Sequence, residues 1–173
     1  VFVYSRHGYG QSDFIKNKFN AKYMHKEALN ILPEILNHFD ISNPILYGHS
    51  DGASIALIHA SLADTEIMGL ILEAPHVFVE EISLDGLKAA KKAFEQGGLK
   101  ASLAKHHRKP EMIFRSWNNI WLSPEFLTWN IVSCLSKIQC PALLIQGETD
   151  AYGTLSQLDT IEKHVSGSCE KQI

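Results

Sequence analysis

The sequence has no apolar run approaching the roughly 18 residues that a membrane span requires. It also lacks a strong charge balance of either sign. A net charge of −3 and a pI near 6.3 exclude the basic footprint of a nucleic-acid binder. Cysteine is sparse: Cys134, Cys140 and Cys169 are an odd number with no CxxC spacing, which argues against a disulfide framework or a zinc site. No metal is called for, and a reducing cytoplasm is the default location. Internal repeats and low-complexity tracts are absent too. The chain opens on Val1-Phe2-Val3-Tyr4, inside a strand-like run without an initiating Met, and stops at EKQI, which resembles the approach to another strand. It reads as a fragment.

What is present is one domain's worth of chain, 173 residues of which 45% are hydrophobic, enough to build a core. After the first strand-like run comes a polar, glycine-bearing loop, SRHGYGQSD. Residues 22–39 then carry Ala28, Ile31, Leu32, Ile35, Leu36 and Phe39 at helical spacing, with a kink expected at Pro33. Strands are predicted at 45–48, at 69–74, where an apolar run suits burial on both faces of a parallel sheet, and at 142–147. Helices are predicted at 52–63 and at 154–165, the latter with Thr154 as N-cap. This alternation is the α/β signature. Residues 80–130 interrupt it with several helix-like runs and no strong strand. The expected organisation is therefore a core from 1–79 and 131–173 with a helical insertion at 80–130.

GHSDG, residues 48–52, joins the strand at 45–48 to the helix after it. A serine at the tip of a very tight turn needs small residues two positions either side, where larger side chains would meet neighbouring backbone. Ser50 is therefore the candidate nucleophile; the competing reading is a helix N-cap serine, which does not require both glycines. The N–H groups of Asp51 and Gly52, at the positive end of the helix dipole, suit an oxyanion.

A serine hydroxyl needs a base, and the base an orienting acid. Asp150, in QGETDAYG just past the strand at 142–147, falls on the same sheet edge as Ser50, although a turn residue would also suit that segment. The chain order expected for this motif is Ser, Asp, His. After Asp150 only His164 remains, and its helical context aims it away from the site. His49 adjoins the nucleophile, but the sharp turn is expected to send its ring to the opposite side.

With these motifs the chain resembles the α/β-hydrolase-fold serine hydrolases. SRHGYGQSD resembles the loop after their fourth strand, GHSDG their nucleophile elbow and LLIQGETDAYG their acid turn. The resemblance implies a doubly wound, mostly parallel sheet, incomplete here, with residues 80–130 as a cap. It implies Ser50 as nucleophile, Asp150 as acid and the Asp51 N–H as an oxyanion donor, with no cofactor. The family's histidine lies on a loop after its eighth strand, which EKQI would begin. The second oxyanion donor would come from upstream of Val1, as would a strand that the family places between its fourth and fifth. The implied reaction is cleavage of a small ester, lactone or related acyl bond, and the fragment alone is expected to be inactive. Two alternatives stay open: C–C bond hydrolysis of ring-cleavage diketones on the same fold, and a non-catalytic binding protein of this fold.

Four softer candidates for substrate contact remain. His49 adjoins Ser50, and His76 ends the strand at 69–74, where a structural histidine is an equal reading. Trp117 and Trp121, with Trp129, have near-helical spacing that suits packing within the cap first and a pocket wall second. Residues 83–115 hold eight Lys or Arg against three acids, a solvated face or a means of steering an anionic small-molecule substrate. No nucleic-acid or membrane partner is expected.

Overall fold

The computed structural model describes residues 1–13 and 19–173. Four parallel strands, β1 (Ile45–His49), β2 (Gly69–Glu73), β3 (Ala142–Ile145) and β4 (Cys169–Gln172), lie in chain order across one sheet. The predicted strands thus pair as a parallel sheet, and EKQI does enter a strand. Parallel neighbours require crossovers. Helix α3 (Asp51–Leu62) connects β1 to β2 and α7 (Ser156–His164) connects β3 to β4.

The first helical stretch runs through α1 (Tyr23–Lys26), a π-helical turn (Glu27–Ile31) and α2 (Leu32–His38). The wide turn stands immediately before Pro33. Proline has no N–H to return to the carbonyl four residues back, and the turn absorbs that defect. Helix α3 packs on β1 and β2 and also on α1, the π-turn and a 3-10 turn at Val132–Lys137, so these elements share a layer.

Burial within β2 alternates. Leu70 and Leu72 are fully buried, whereas Ile71 between them is only partly covered, and its register partner Tyr47 is exposed. The continuous apolar run predicted burial on both faces. Among the described residues the helices of the α3 layer cover one face, and that side of each strand takes the core positions.

Two further expectations are corrected. Val1–Tyr4 forms no strand with any described residue. It has the β-branched, aromatic composition of a strand, but a strand also needs a partner, and a cavity of about 640 Å³ separates it from β1. Thr154 is not the cap of α7, which begins at Ser156 after Leu155. The Thr154 hydroxyl accepts the Ser156 N–H at 3.2 Å and donates to Glu80 at 2.6 Å.

Between β2 and β3 the chain forms three helices, α4 (Glu81–Glu95), α5 (Gly98–Ala104) and α6 (Pro110–Trp121). It leaves and returns at one place, where Phe78 and Asn130 make an isolated antiparallel bridge and the Ile131 N–H donates to the Val77 carbonyl at 2.8 Å. Ala90, Phe94 and Phe114 form a small core among these helices. Trp121 and Trp129 are instead buried in the main core, packed with Phe126 at ring separations of 4.8 and 5.3 Å. No helix among the described residues is long and apolar enough to cross a membrane.

Candidate active site

Ser50 follows the last residue of β1 and precedes the first of α3. Its backbone adopts φ +52° and ψ −121°, a conformation that non-glycine residues rarely occupy and that is held only where surroundings over-determine it. The surroundings are visible. The Ser50 N–H donates to the Glu73 carbonyl of β2 at 2.9 Å, and the Ser50 carbonyl accepts the Ala53 and Ser54 N–H groups at 2.9 and 3.1 Å. Both of its backbone groups are thereby spent on neighbouring elements. Its hydroxyl has no hydrogen-bond partner among the described residues, and it is not a side-chain cap of α3.

The two glycines of the turn differ in role. A Cβ on Gly48 would stand 2.3 Å from the Gly52 carbonyl oxygen and 2.5 Å from the Ala53 nitrogen, so β1 and α3 meet there backbone to backbone. A Cβ on Gly52 would meet nothing within 4 Å, contrary to the expectation that both positions exclude side chains. Gly52 supplies the backbone that Gly48 must avoid, while its own α-carbon faces the open cavity beside β1. Gly48→Ala is therefore expected to cost about 3 kcal/mol or more, because backbone cannot yield as a side chain can. Gly52→Ala should stay within about 1 kcal/mol of the parent. Urea midpoints of the two variants check this contrast.

The N–H groups of Asp51 and Gly52 open α3 without acceptors among the described residues, as helix N-termini leave them. The Asp51 side chain does something its sequence position did not disclose. One carboxylate oxygen accepts the Tyr23 hydroxyl at 2.7 Å and the other accepts the Trp121 Nε1–H at 3.2 Å. The Arg6 guanidinium lies 3.7 Å away and also stacks 4.5 Å over the Tyr9 ring. Trp121 shares its N–H with the Tyr23 oxygen at 3.0 Å. The loop after Val1–Tyr4, α1 and α6 thus converge on the residue next to Ser50. Burial raises Tyr23 well above the ordinary phenol range, with the Asp51 carboxylate adding to it; burial likewise pushes Tyr9 up to about 12. For Arg6, burial acts downward, but Tyr9, Asp51, Tyr23 and Glu27 together outweigh it and raise the group above its ordinary value.

Asp150 stands in the loop after β3. It accepts the Tyr152 N–H at 2.7 Å, and its own N–H donates to the Gly147 carbonyl at 3.2 Å. Buried side chains from both sides hold this loop. Gln146 donates to the Gly153 carbonyl at 2.7 Å, and Ser83 of α4 donates to the Tyr152 carbonyl. Glu80 accepts the Thr154 N–H at 3.0 Å and the Gln157 amide at 2.7 Å. A Cβ on Gly86 would stand 2.6 Å from the Ala151 carbonyl oxygen, so α4 lies directly against the loop.

Ser50 and Asp150 line one cavity of about 220 Å³, together with all four softer candidates, His49, His76, Trp117 and Trp121. His49 lines this cavity and also the one beside β1. A second cavity of about 340 Å³ opens on Ser50 between Arg6 and Tyr9 on one side and Leu99, Leu103 and Phe114 on the other. None of the eight basic residues at 83–115 lines either cavity. Lys88 instead pairs with Asp85, and Lys100 and Arg115 pair with Glu111. His164 is exposed on α7, where its Nδ1 bonds the Thr160 carbonyl at 2.8 Å. No described histidine is hydrogen bonded to Ser50 or Asp150. Groups of three or more metal-ligating side chains are absent among the described residues.

A sequence profile of the alpha/beta hydrolase fold matches residues 1–116. The serine hydrolase BPHL of Homo sapiens is 24% identical over 173 residues, covering 97% of this chain and 59% of that protein. The chain therefore spans less than two thirds of this curated relative's length. Among solved structures, the esterase EaEST from Exiguobacterium antarcticum is similar at a TM-score of 0.65 and 19% identity, covering 95% of this chain and 69% of that one. The enol-lactonase from Burkholderia xenovorans LB400 is similar at 0.64 and 14%, with 96% and 69% covered. At these identities the likeness of the two structures is one of fold.

Proposed function

Because this chain belongs to the α/β-hydrolase fold family, we propose that it carries the nucleophile and the acid of a serine hydrolase cleaving a small ester, lactone or related acyl bond. The observation that carries this reading is Ser50 itself: a non-glycine residue at φ +52°, its hydroxyl unbonded, set at a sheet edge over the start of a helix. A merely structural serine does not require that strain.

The chemistry follows from the placement. The Ser50 hydroxyl attacks the acyl carbonyl as a histidine takes its proton, and the N–H of Asp51 donates to the oxyanion. The acyl-enzyme forms as the alcohol departs with that proton, and water then reverses the sequence. Asp150 orients the histidine from its braced loop. That histidine belongs, by the resemblance, on a loop following β4 and outside these 173 residues; the 173-residue chain alone is expected to show no appreciable turnover. Helices α4–α6 act as a cap that shields the intermediate from water. The esterase and the enol-lactonase among the similar structures support an acyl bond as the target. The smaller cavity, with neither lysine nor arginine in its wall, favours an uncharged small substrate over an anionic one.

The test is hydrolysis of a panel of p-nitrophenyl esters and simple lactones by the full-length protein containing these residues. Asp150→Asn is expected to lower kcat by roughly 10⁴-fold with little change in KM, as loss of the orienting acid does in a triad. Unchanged turnover in that variant would remove Asp150 from the mechanism.

A further inference from the structure

We infer that His76 sets substrate selectivity at this site by exchanging a hydrogen bond with an uncharged hydroxyl or carbonyl group of the substrate. The inference rests on the hydrolase reading and specifies which acyl compounds it favours.

His76 lies just beyond β2, between the turn that holds Ser50 and the loop that holds Asp150, and lines the cavity with both. It is 4% exposed. Its position is tightly fixed. Ser54, buried on α3, donates its hydroxyl proton to the His76 carbonyl at 2.6 Å and accepts the His76 N–H at 3.2 Å. The ring stands edge to face with Trp121 at 5.2 Å. Its Cε1 would be 3.3 Å from a Cβ on Gly153, so the glycine leaves the ring its space.

For all this fixing, the ring's polar capacity is unused. Nδ1 is sealed without a hydrogen-bond partner; Nε2, which no described residue bonds either, is not sealed and is the ring nitrogen a substrate in the cavity can reach. A neutral imidazole presents one donor and one acceptor, and buried polar atoms are rarely left unpaired. The other buried polar side chains of the wall are already engaged. Trp121 gives its N–H to Asp51 and Tyr23, Ser83 donates to the Tyr152 carbonyl, and Asp150 accepts the Tyr152 N–H. His76 is thus the buried polar side chain of this cavity without a partner among the described residues, whereas His49, Trp117 and Tyr152, also in the wall, are not buried.

The surroundings select an uncharged partner. Burial holds His76 below the ordinary histidine range, so the ring is neutral near pH 7, although the Asp51, Asp150 and Glu80 carboxylates act in the opposite direction. An anionic substituent entering this cavity would meet the Asp150 carboxylate with neither lysine nor arginine on the wall. A neutral ring also offers no countercharge to an ammonium group. A hydroxyl or a carbonyl oxygen matches what the ring can give.

The experiment compares matched esters on the full-length protein: butyrate against 3-hydroxybutyrate and acetoacetate, each also with the hydroxyl or keto group moved to the alcohol side. The parent enzyme is expected to prefer an oxygen-bearing member by roughly 10- to 100-fold in kcat/KM, the discrimination one buried hydrogen bond provides. His76→Phe should bring that ratio close to one. His76→Gln, which keeps a donor and an acceptor, should retain part of it and serves if the phenylalanine variant does not fold. A parent ratio near one, or a ratio that survives in both variants, overturns the inference while leaving the hydrolase reading intact. Failure of the parent to hydrolyse any ester overturns both.

Discussion

Replacing Ser50 with glycine is expected to give a protein that is more stable and catalytically dead. At φ +52° and ψ −121° a side chain costs about 1–3 kcal/mol, whereas glycine enters this region freely. Part of that gain is offset because glycine also loosens the unfolded chain, leaving a net stabilisation of about 1 kcal/mol. For a chain of this size that corresponds to a rise in Tm of roughly 2–4 °C. Turnover should fall by roughly 10⁶-fold, the loss seen when a triad nucleophile is removed. Ser50→Ala separates the two effects. It lacks the hydroxyl but keeps Cβ, so it should be equally inactive with parental stability. Urea denaturation and ester turnover of the three proteins side by side check the pattern. A glycine variant less stable than the alanine variant would mean that Ser50 is not strained.

The second large effect lies one residue on. Asp51→Ala is expected to destabilise the protein by about 3–5 kcal/mol, the range for breaking a buried ion pair by removing one partner. Arg6, whose side chain is 17% exposed, loses its carboxylate and the Tyr23 hydroxyl its acceptor, while the Trp121 N–H keeps only the Tyr23 oxygen. Asp51→Asn keeps an acceptor but not the charge and should cost less. Trp121→Phe removes only one donor from the carboxylate and should cost about 1–2 kcal/mol. Because these groups share one network, the double variant should lose less than the sum of its parts. Equilibrium unfolding in urea reads all four. A change below about 1 kcal/mol in Asp51→Ala would show that the cluster contributes little to folding.

The cluster also marks where local sequence stops being informative. GHSDG could be read because a strand, a sharp turn and a helix are encoded by residues next to one another, and Asp150 because it follows the next apolar strand but one. The Asp51 carboxylate has its partners 28 and 70 residues away, and nothing in a five-residue motif announces them. Val1–Tyr4 departs from its strand-like composition for a related reason. Composition reports the tendency to be a strand, but pairing is a property of the neighbour. The two glycines of the motif look equivalent in sequence, whereas the clash that excludes a side chain belongs to Gly48 alone. Trp121 illustrates the remaining gap. Its helical spacing placed it in the packing of the insertion, whereas the fold sends it into the main core, where its N–H reaches the nucleophile turn and its ring meets His76.

The most direct test of the account is whether Ser50 is an activated nucleophile. Full-length protein is treated with a fluorophosphonate probe, digested, and the modified residue located by mass spectrometry, beside Ser50→Ala. The account expects one adduct, on the peptide containing Ser50, and none in the alanine variant. A folded parent protein that takes no label, or an alanine variant that is labelled as well as the parent, would contradict it.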